Sequence, residues 1–440
     1  MRNKNLFVVF VTLLVVIFTV SSSFSLVYID INAPILKQLP LAITELVNLD
    51  GKEPDRSITQ NIKTLTSDLE NTGIFDILDP VAFLESPEKK GITLETIDFD
   101  DWTIVGAEGL VKGGYKIRDD NSIELEMRLF DTYQKQLIVG KRYVGGKDDV
   151  KRMMHRFANE ILLKFTGERG IFGSKITYVE DIKSYKEIFV MDYDGSNNIQ
   201  LTRDFSLNIS PAWAPDGTKI LYTSYKRGNP DLVVNDFAKG ETTSISKRKG
   251  LNLGAEYSYD GKKIALTLSD GNNSNIYIID AQDGKVIKRL TDYWGIDVSP
   301  SWSPDDTKIA FTSDRSGNPN IYVIDVDNSE AKRLSFNGKY NSSAEWSPKG
   351  DKIAFCGQDE KGLFNIYTIN ADGTGMERLT SGSKDNESPS WSPDGRQIAF
   401  ASNRNGNYDI YVMNADGGSI RRLTFSKGNA TSPSWSPKLE

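Results

Sequence analysis

The stretch Ser388-Pro389-Ser390-Trp391-Ser392-Pro393-Asp394-Gly395 decides the fold, because close variants of it recur through the second half of the chain. Each copy centres on an aromatic residue, and neighbouring copies are 44 or 45 residues apart. These anchor residues are Trp213, Tyr257, Trp302, Trp346, Trp391 and Trp435. A fixed period of this length is typical of the blades of a β-propeller.

Each repeat unit contains four short strand-like runs. In the unit of Trp302, the anchor segment is followed by a tight turn and then by strands at 308–313, 320–325 and 331–335. Proline and glycine in the turns set the backbone angles that tight turns need. Four strands in one such period predict one blade.

The number of blades follows from the pieces left over at the two ends of the repeat region. The last anchor segment, 432–437, has no strands after it, whereas the strands at 175–179, 187–192 and 199–202 have no anchor before them. Together these pieces make one blade. The sequence therefore predicts an all-β six-bladed propeller over residues 174–440, closed by the C-terminal strand so that no open edge remains.

The anchor aromatics are interpreted as packing groups between blades, because a large ring on an inner strand fills the gap to its neighbour. The Asp-Gly turns lack the dense spacing of carboxylates found in calcium loops and are interpreted as plain turns.

The first 25 residues have the layout of a secretory signal peptide. Arg2 and Lys4 precede an apolar run at 6–20, and small residues stand at the −3 and −1 positions if the cut falls after Ser25. An uncleaved anchor is the alternative, but the apolar run is shorter than the ~20 residues a spanning helix needs. Removing this segment, which carries two basic residues and no acid, changes the formal net charge from −7 to −9.

Residues 26–168 lack the repeat and predict a small α+β domain. Apolar residues at helical spacing indicate a helix that opens at 56 and ends at 73, and a second helix from about 148 that stops at 167. Strands are predicted between them at 102–116, 122–131 and 136–144. An N-terminal segment, 26–39, is interpreted as either an edge strand or a mobile tail, and 169–173 as a linker.

Composition argues against several classes of function. An acidic chain without a basic stripe is not typical of a nucleic-acid-binding protein. The single histidine, His155, and the single cysteine, Cys356, cannot form a His/Cys metal site, and both are interpreted as buried structural residues. No nucleophile elbow, phosphate loop or dinucleotide fingerprint is present. We therefore predict no catalytic residue, cofactor or metal.

A polar position recurs five residues before each anchor. Its members are Asn208, Asn252, Asp297, Asn341 and Asn386, and the sixth unit has Ala430 there, with Thr431 beside it as the sixth predicted contact. Turn chemistry is one explanation, since Asn and Asp suit left-handed and Asx-turn positions. The other is a polar ring at one mouth of the central channel that receives a protein segment. The loops at 226–229 and 314–317 are expected to flank the same face.

The chain resembles the TolB family of the Tol–Pal cell-envelope system along essentially its full length. The resemblance rests on the repeats, on Met154-His155-Arg156-Phe157-Ala158-Asn159-Glu160-Ile161, on Thr166-Gly167-Glu168 and on Gly170-Ile171-Phe172-Gly173. It implies a periplasmic, non-enzymatic scaffold that supports envelope integrity and cell division.

The resemblance also implies two partners. The propeller mouth, with the Asn/Asp ring, would bind a Pal-type lipoprotein. The N-terminal segment would contact a TolA-type protein through residues that include Leu26, Tyr28, Asp30 and Asn32, although 27–34 does not closely match the family's best-known N-terminal peptide. A propeller hydrolase or lyase and a cell-wall carbohydrate-binding module are the alternatives.

Overall fold

The computed structural model describes residues 38–85, 91–271, 273–328, 330–382 and 384–439. The predicted signal peptide and the predicted contacts Leu26, Tyr28, Asp30 and Asn32 lie outside these ranges. An α+β domain precedes six four-stranded sheets. The predicted fold class is therefore confirmed, while the predicted domain boundaries stay predictions.

The α+β domain is one mixed sheet with helices. Its strands run in the order β3-β1-β4-β5-β6, and β2 pairs with β4. The strands are β1 Leu39–Ile43, β2 Val47–Asn48, β3 Phe75–Ile77, β4 Gly109–Ile117, β5 Ile123–Asp131 and β6 Gln136–Gly145. The helices are α1 Arg56–Thr59, α2 Ile62–Glu70, α3 Phe99–Ile104 and α4 Val150–Thr166, with short 3₁₀ turns at Pro80–Ala82 and Lys147–Asp149.

Helix α4 covers one face of this sheet. Its buried stripe includes Val150, Met154, Phe157 and Phe165, which follow the helical period. The helix ends at Gly167, whose φ of 77° is the left-handed conformation that terminates a helix without strain. This helix matches its sequence prediction closely.

Three details of the domain differ from the sequence predictions. The predicted strand at 102–116 begins inside α3, whose first turn is capped by Asp98, and strand β4 starts only at 109. The predicted helix at 56–73 is two helices, which are separated at Gln60 and Asn61, and the second of them ends at Glu70. Residue 39 opens an interior strand, since β1 pairs in parallel with both β3 and β4.

Each propeller blade is an antiparallel sheet of four strands. Blade 1 is β10 Asn208–Trp213, β11 Lys219–Ser224, β12 Asp231–Asp236 and β13 Glu241–Ser246; blade 2 is β14 Asn252–Tyr257, β15 Lys263–Asp270, β16 Asn273–Asp280 and β17 Val286–Arg289. Blade 3 is β18 Asp297–Trp302, β19 Lys308–Ser313, β20 Asn320–Asp325 and β21 Ala331–Arg333; blade 4 is β22 Asn341–Trp346, β23 Lys352–Gln358, β24 Phe364–Asn370 and β25 Glu377–Arg378. Blade 5 is β26 Asn386–Trp391, β27 Gln397–Asn405, β28 Asn407–Asn414 and β29 Arg421–Arg422; blade 6 is β30 Ala430–Trp435, β7 Lys175–Ile182, β8 Tyr185–Asp192 and β9 Ile199–Gln200.

Blade 6 joins the two ends of the propeller. The C-terminal strand β30 pairs with β7, so that Trp435 lies opposite Ile176. The indole N–H of Trp435 donates to the hydroxyl of Ser174 over 2.8 Å, and Ser174 immediately precedes β7. The ring is thus closed by hydrogen bonds between distant parts of the chain.

Every inner strand carries a bulge at the same place. Its register shifts by one residue just before the anchor, and the bulged residue has a φ of +50° to +56°. The bulged residues are Ser210, Gly254, Ser299, Ser343, Ser388 and Ser432, and all six line a central cavity of about 540 Å³. The recurring Ser-Pro pair therefore marks a bulge that bends the inner strand around the channel.

Neighbouring blades are joined beside the anchors. Glu256 accepts hydrogen bonds from the backbone N–H of Trp302 and, through its own carbonyl, from the indole of Trp302, at 3.2 and 3.3 Å. Glu345 makes the same two contacts with Trp391 at 2.9 and 3.2 Å. These bonds, together with the burial of the rings, support the packing role predicted for the anchors.

Candidate functional site

The two mouths of the channel differ in what surrounds them. We call the end where the six inner strands begin the upper mouth, and the end where they finish the lower mouth. The α+β domain contacts the propeller on the side of the lower mouth, where Lys151 pairs with Asp194 at 2.7 Å and Lys438 donates to the carbonyl of Arg169 at 2.8 Å. Surface loops at the upper mouth are the candidate site for a partner.

The predicted polar ring occupies the first position of the inner strands at the upper mouth. Asn208, Asn252, Asp297, Asn341 and Asn386 are each at most 2% exposed. Thr431, beside the buried Ala430, is partly exposed and lies opposite Val179. The five Asn and Asp residues are therefore equivalent in position to one another and to Ala430, and their side chains face the blades rather than solvent. Thr431 lies one residue further along its strand.

Hydrogen bonds explain why these five side chains are buried. Asn341 donates to the carbonyl of Asn337 at 2.8 Å and to the amide oxygen of Asn320 at 3.1 Å. Asn208 donates to Asp204 at 2.7 Å and to Glu187 at 3.0 Å. Such bonds hold the incoming loop against the blade, which is the turn-chemistry explanation. Direct contact of these residues with a partner stays a prediction. Their hydrogen bonds would also let them influence partner binding indirectly, by holding the loops that surround the mouth in place.

In blade 3 the same position holds a charge pair. Both oxygens of Asp297 accept from the guanidinium of Arg315, at 3.0 and 2.8 Å. That guanidinium also lies within 5.3 Å of the ring centres of Tyr293, Phe311 and Tyr322. The loop at 314–317 consequently flanks the upper mouth, as expected.

The loop at 226–229 reaches the same mouth. Strand β11 ends opposite Asn208, because Ser224 is its pairing partner, and Lys226 lies 4.0 Å from Asp204. Both loops named from the sequence therefore surround the predicted ring.

Exposed aromatic residues at the upper mouth were missed by the sequence reasoning. Four of the six loops that lead into inner strands carry one, and these residues are Phe205, Trp294, Phe336 and Phe425, which are 69–78% exposed. Leu207, Ile296 and Tyr340, each directly before a ring position, add further exposed apolar surface. An aromatic in a polar loop, outside the alternation of any strand, was the signal that could have identified them.

Arginines orient two of these rings. The guanidinium of Arg333 lies 4.8 Å from the ring centre of Phe336, and that of Arg422 lies 4.6 Å from that of Phe425. Each arginine also donates to a backbone carbonyl two residues further along, at 2.6 and 2.8 Å. Exposed rings held in place by such contacts lose little side-chain entropy when a partner covers them.

Two carboxyl groups lie below the mouth on the channel wall. Burial raises the pKa of Glu256 to about 8, against the opposing effect of hydrogen bonds from Trp302 and Ser301. Burial also raises the pKa of Glu345 well above its usual range, and the neighbouring charge of Glu256 adds to this effect. Both residues line the central cavity, and their hydrogen bonds to the next blade give them a structural role.

His155 lies in the contact between the two parts of the chain. Its Nδ1 is 2.7 Å from Asp68, which also accepts a hydrogen bond from the hydroxyl of Tyr193. The guanidinium of Arg421 lies 5.6 Å from the ring centre of Tyr193 on the propeller side. His155 and Asp68 are 5% and 2% exposed. This environment supports the structural role predicted for the histidine.

Fold and site together define a class: a two-domain protein in which an α+β domain precedes a closed six-bladed propeller with an apolar, aromatic upper mouth. The profile of the TolB amino-terminal domain matches residues 27–138, and the profile of the TolB beta propeller domain matches residues 162–387 and 357–440. The chain belongs to the TolB family, and the resemblance inferred from the sequence is confirmed.

Individual relatives agree with this assignment. The Tol-Pal system protein TolB of Syntrophotalea carbinolica is 41% identical over 208 residues, which are 47% of this chain and 48% of the relative. That of Desulfosudis oleivorans is 38% identical over 191 residues, 43% of each chain. These matches thus span about half the length of the curated relatives.

A solved structure matches over a much larger part of the chain. The crystal structure of TolB from Acinetobacter baumannii has a TM-score of 0.79 and 27% sequence identity, and the match covers 91% of this chain and 97% of that one. Among the helices of the described ranges, none is both long and apolar enough to cross a membrane.

Proposed function

We propose that this chain is a periplasmic, non-enzymatic scaffold of the Tol–Pal system that links an inner-membrane complex to a peptidoglycan-associated lipoprotein. Such a link would support outer-membrane integrity and constriction during division. The family assignment supports this proposal, as do the relatives, which are named Tol-Pal system proteins.

The observation that carries the proposal is the exposed aromatic surface of the upper mouth. Phe205, Trp294, Phe336 and Phe425 project from loops on the side away from the α+β domain. Aromatic residues dominate the energetics of protein interfaces, and exposed apolar patches mark such interfaces. A Pal-type lipoprotein is the proposed partner at this mouth, with the buried Asn/Asp ring holding the loops in position.

A binding role is favoured over catalysis by the placement of the two rarest reactive side chains. His155 is buried between the domains, and the thiol of Cys356 is buried in blade 4, where it faces the carbonyl of Asn386 at 3.6 Å. Burial also raises the pKa of this thiol, which makes it less reactive.

The test is a calorimetric titration of the chain lacking residues 1–25 with the soluble domain of a Pal-type lipoprotein. The double variant Trp294→Ala and Phe425→Ala should bind at least about tenfold more weakly, because two hot-spot rings are removed. Its melting temperature should be unchanged, since both rings are exposed. Tyr133→Ala, an equally exposed aromatic of the α+β domain, is the matched control. Equal affinity of the double variant and wild type would overturn the proposal.

The second proposed partner is a TolA-type protein bound by the N-terminal segment. Deleting residues 26–37 should abolish that interaction while the fold is kept, because the deletion stops short of the buried Leu39 at the start of β1. Pull-down with the periplasmic domain of a TolA-type protein measures the effect. Full binding by the shortened chain would exclude this role for the segment.

A further inference from the structure

A basic groove lies on the α+β domain, between the edge strand β6 and the helix α4. Its volume is about 300 Å³, and its lining includes Lys141, Arg142, Tyr143, Arg152, Arg156 and Glu160. The groove is separate from the channel, and the family assignment gives it no role.

The charge of this region opposes that of the whole chain. Residues 141–156 contain six lysines and arginines and two aspartates, whereas the chain as a whole has a formal net charge of −7. Basic residues concentrated in one stretch of an acidic protein attract anionic partners.

One cation of the groove is left without an acid. Lys141 pairs with Glu160 at 2.8 Å, Arg142 with Glu126 at 3.0 Å, and Arg152 with Asp149 at 2.7 Å. Arg156 makes no ion pair among the described residues and instead lies over the ring of Tyr143, 5.5 Å from its centre. Its guanidinium is exposed and free to form a bidentate contact with a carboxylate.

The Tyr143 ring beneath Arg156 carries a hydroxyl that also lacks a partner. The Tyr143 oxygen is buried, and no described residue forms a hydrogen bond with it. Burial raises the pKa of this hydroxyl, so it remains a neutral donor at physiological pH. A buried polar group without a partner carries a desolvation cost that a ligand oxygen would relieve.

The groove adjoins a free strand edge. In the described sheet, β6 has β5 on one side and no strand on the other, over ten residues. Its side chains alternate between faces, which puts Lys141 and Tyr143 on the side of α4. A strand added along this edge would direct every second side chain toward Arg152 and Arg156, which are one helical turn apart.

We propose that this groove binds an extended protein segment with carboxylates at alternate positions, added as a further strand beside β6. Backbone hydrogen bonds to the edge would provide affinity, and the carboxylates facing Arg156 and Tyr143 would provide specificity. A long edge strand is the observation that favours a peptide over an anionic lipid, because a lipid headgroup would leave the backbone groups of β6 unused.

The probe is a fluorescein-labelled heptapeptide with glutamate at alternate positions and valine between them, measured by anisotropy with the chain lacking residues 1–25. A peptide with glutamine in place of glutamate is the charge control. We expect binding that weakens with salt, and about tenfold weaker binding by Arg156→Ala. Tyr143→Phe keeps the buried ring and should weaken binding more mildly. Lys164→Ala, which removes an exposed charge from the same helix outside the groove, should have no effect.

Hydrogen–deuterium exchange distinguishes strand addition from simple charge attraction. Amides of residues 141–144 should exchange more slowly in the presence of the acidic peptide. The proposal is overturned if the peptide does not bind at up to about 1 mM, if Arg156→Ala binds it as wild type does, or if these amides stay unprotected. Binding to phosphatidylglycerol vesicles but not to the peptide would likewise overturn it in favour of a lipid site.

Discussion

Tyr193 of the propeller donates its hydroxyl hydrogen bond to Asp68 of the α+β domain, and the same carboxyl group contacts His155 at 2.7 Å. Burial raises the pKa of Asp68, while the bonds from His155 and Tyr193 oppose that effect. One carboxyl group therefore joins residues from α2, α4 and the propeller in a contact that water does not reach.

Loss of this hydrogen bond should weaken the attachment of the two domains. Tyr193→Phe keeps the ring and leaves an oxygen of Asp68 unsatisfied, which should cost about 1–3 kcal/mol. Limited proteolysis at the connection 167–173 and urea denaturation measure the effect. Tyr133→Phe, at an exposed position, is the control and should behave as wild type. Unchanged cleavage and stability of Tyr193→Phe would show that the bond contributes nothing to docking.

Removal of Asp297 should reduce stability as well as any partner binding. Asp297→Ala leaves the guanidinium of Arg315 without its buried acid, and we expect a loss of about 2–4 kcal/mol in the free energy of unfolding. Asp292→Ala breaks an ion pair whose acid is 86% exposed and should cost less than about 1 kcal/mol. Urea denaturation of both variants measures the difference in stability. Equal denaturation midpoints would mean that Asp297 does not stabilise the fold.

The carboxyl groups of the channel should make stability depend on pH. The unfolded chain releases the Glu256 proton near pH 4.5, whereas the folded chain retains it up to about pH 8. Folding therefore takes up a proton between these values, so the free energy of unfolding falls as pH rises from 4.5 to 8 and levels off above.

Glu256→Gln should remove this contribution, because its amide oxygen can accept the same bonds from Trp302 and Ser301 without ever carrying a charge. Thermal melts from pH 5 to pH 9 would then show a shallower decline than wild type. Glu360→Gln, on an exposed loop, is the matched control. Identical slopes for Glu256→Gln and wild type would disprove the assignment.

Closure of the ring should depend strongly on the last anchor. Trp435 is 6% exposed and donates to Ser174, and Trp435→Ala should cost about 3–5 kcal/mol. Ser174→Ala removes only the hydrogen bond and should cost about 1 kcal/mol. Trp294→Ala, the loss of an equally large but exposed ring, should leave the denaturation midpoint where it is. A similar midpoint for Trp435→Ala and Trp294→Ala would refute the closing role.

The repeat made the propeller predictable, because its period and unmatched end pieces fix the number of blades. The short strands β1 and β3 were not predictable in the same way. They pair in parallel across more than thirty residues, and at five and three residues they are too short for alternation to identify them. Periodicity identifies a helix face or a strand, but it does not say which distant segment will lie beside it.

The candidate site was predictable in position but not in detail. Equal spacing placed Asn208, Asn252 and Asn341 at one level of the ring, yet spacing alone does not distinguish a side chain turned toward the blade from one turned toward solvent. The exposed aromatics followed no fixed spacing: Trp294 lies three residues before its strand and Phe336 five. The pairing of Arg156 with Tyr143 depended on how α4 lies over the sheet edge.

The pairing of β30 with β7 also constrains the order in which the propeller can fold. Blades 1 to 5 are each formed by one continuous stretch of the chain, whereas β7, β8 and β9 need the distant strand β30 to complete blade 6. Until β30 pairs with β7, one edge of β7 is unpaired and could pair with another chain. The pairing of β30 with β7, rather than the formation of blades 1 to 5, is therefore the event that completes the ring.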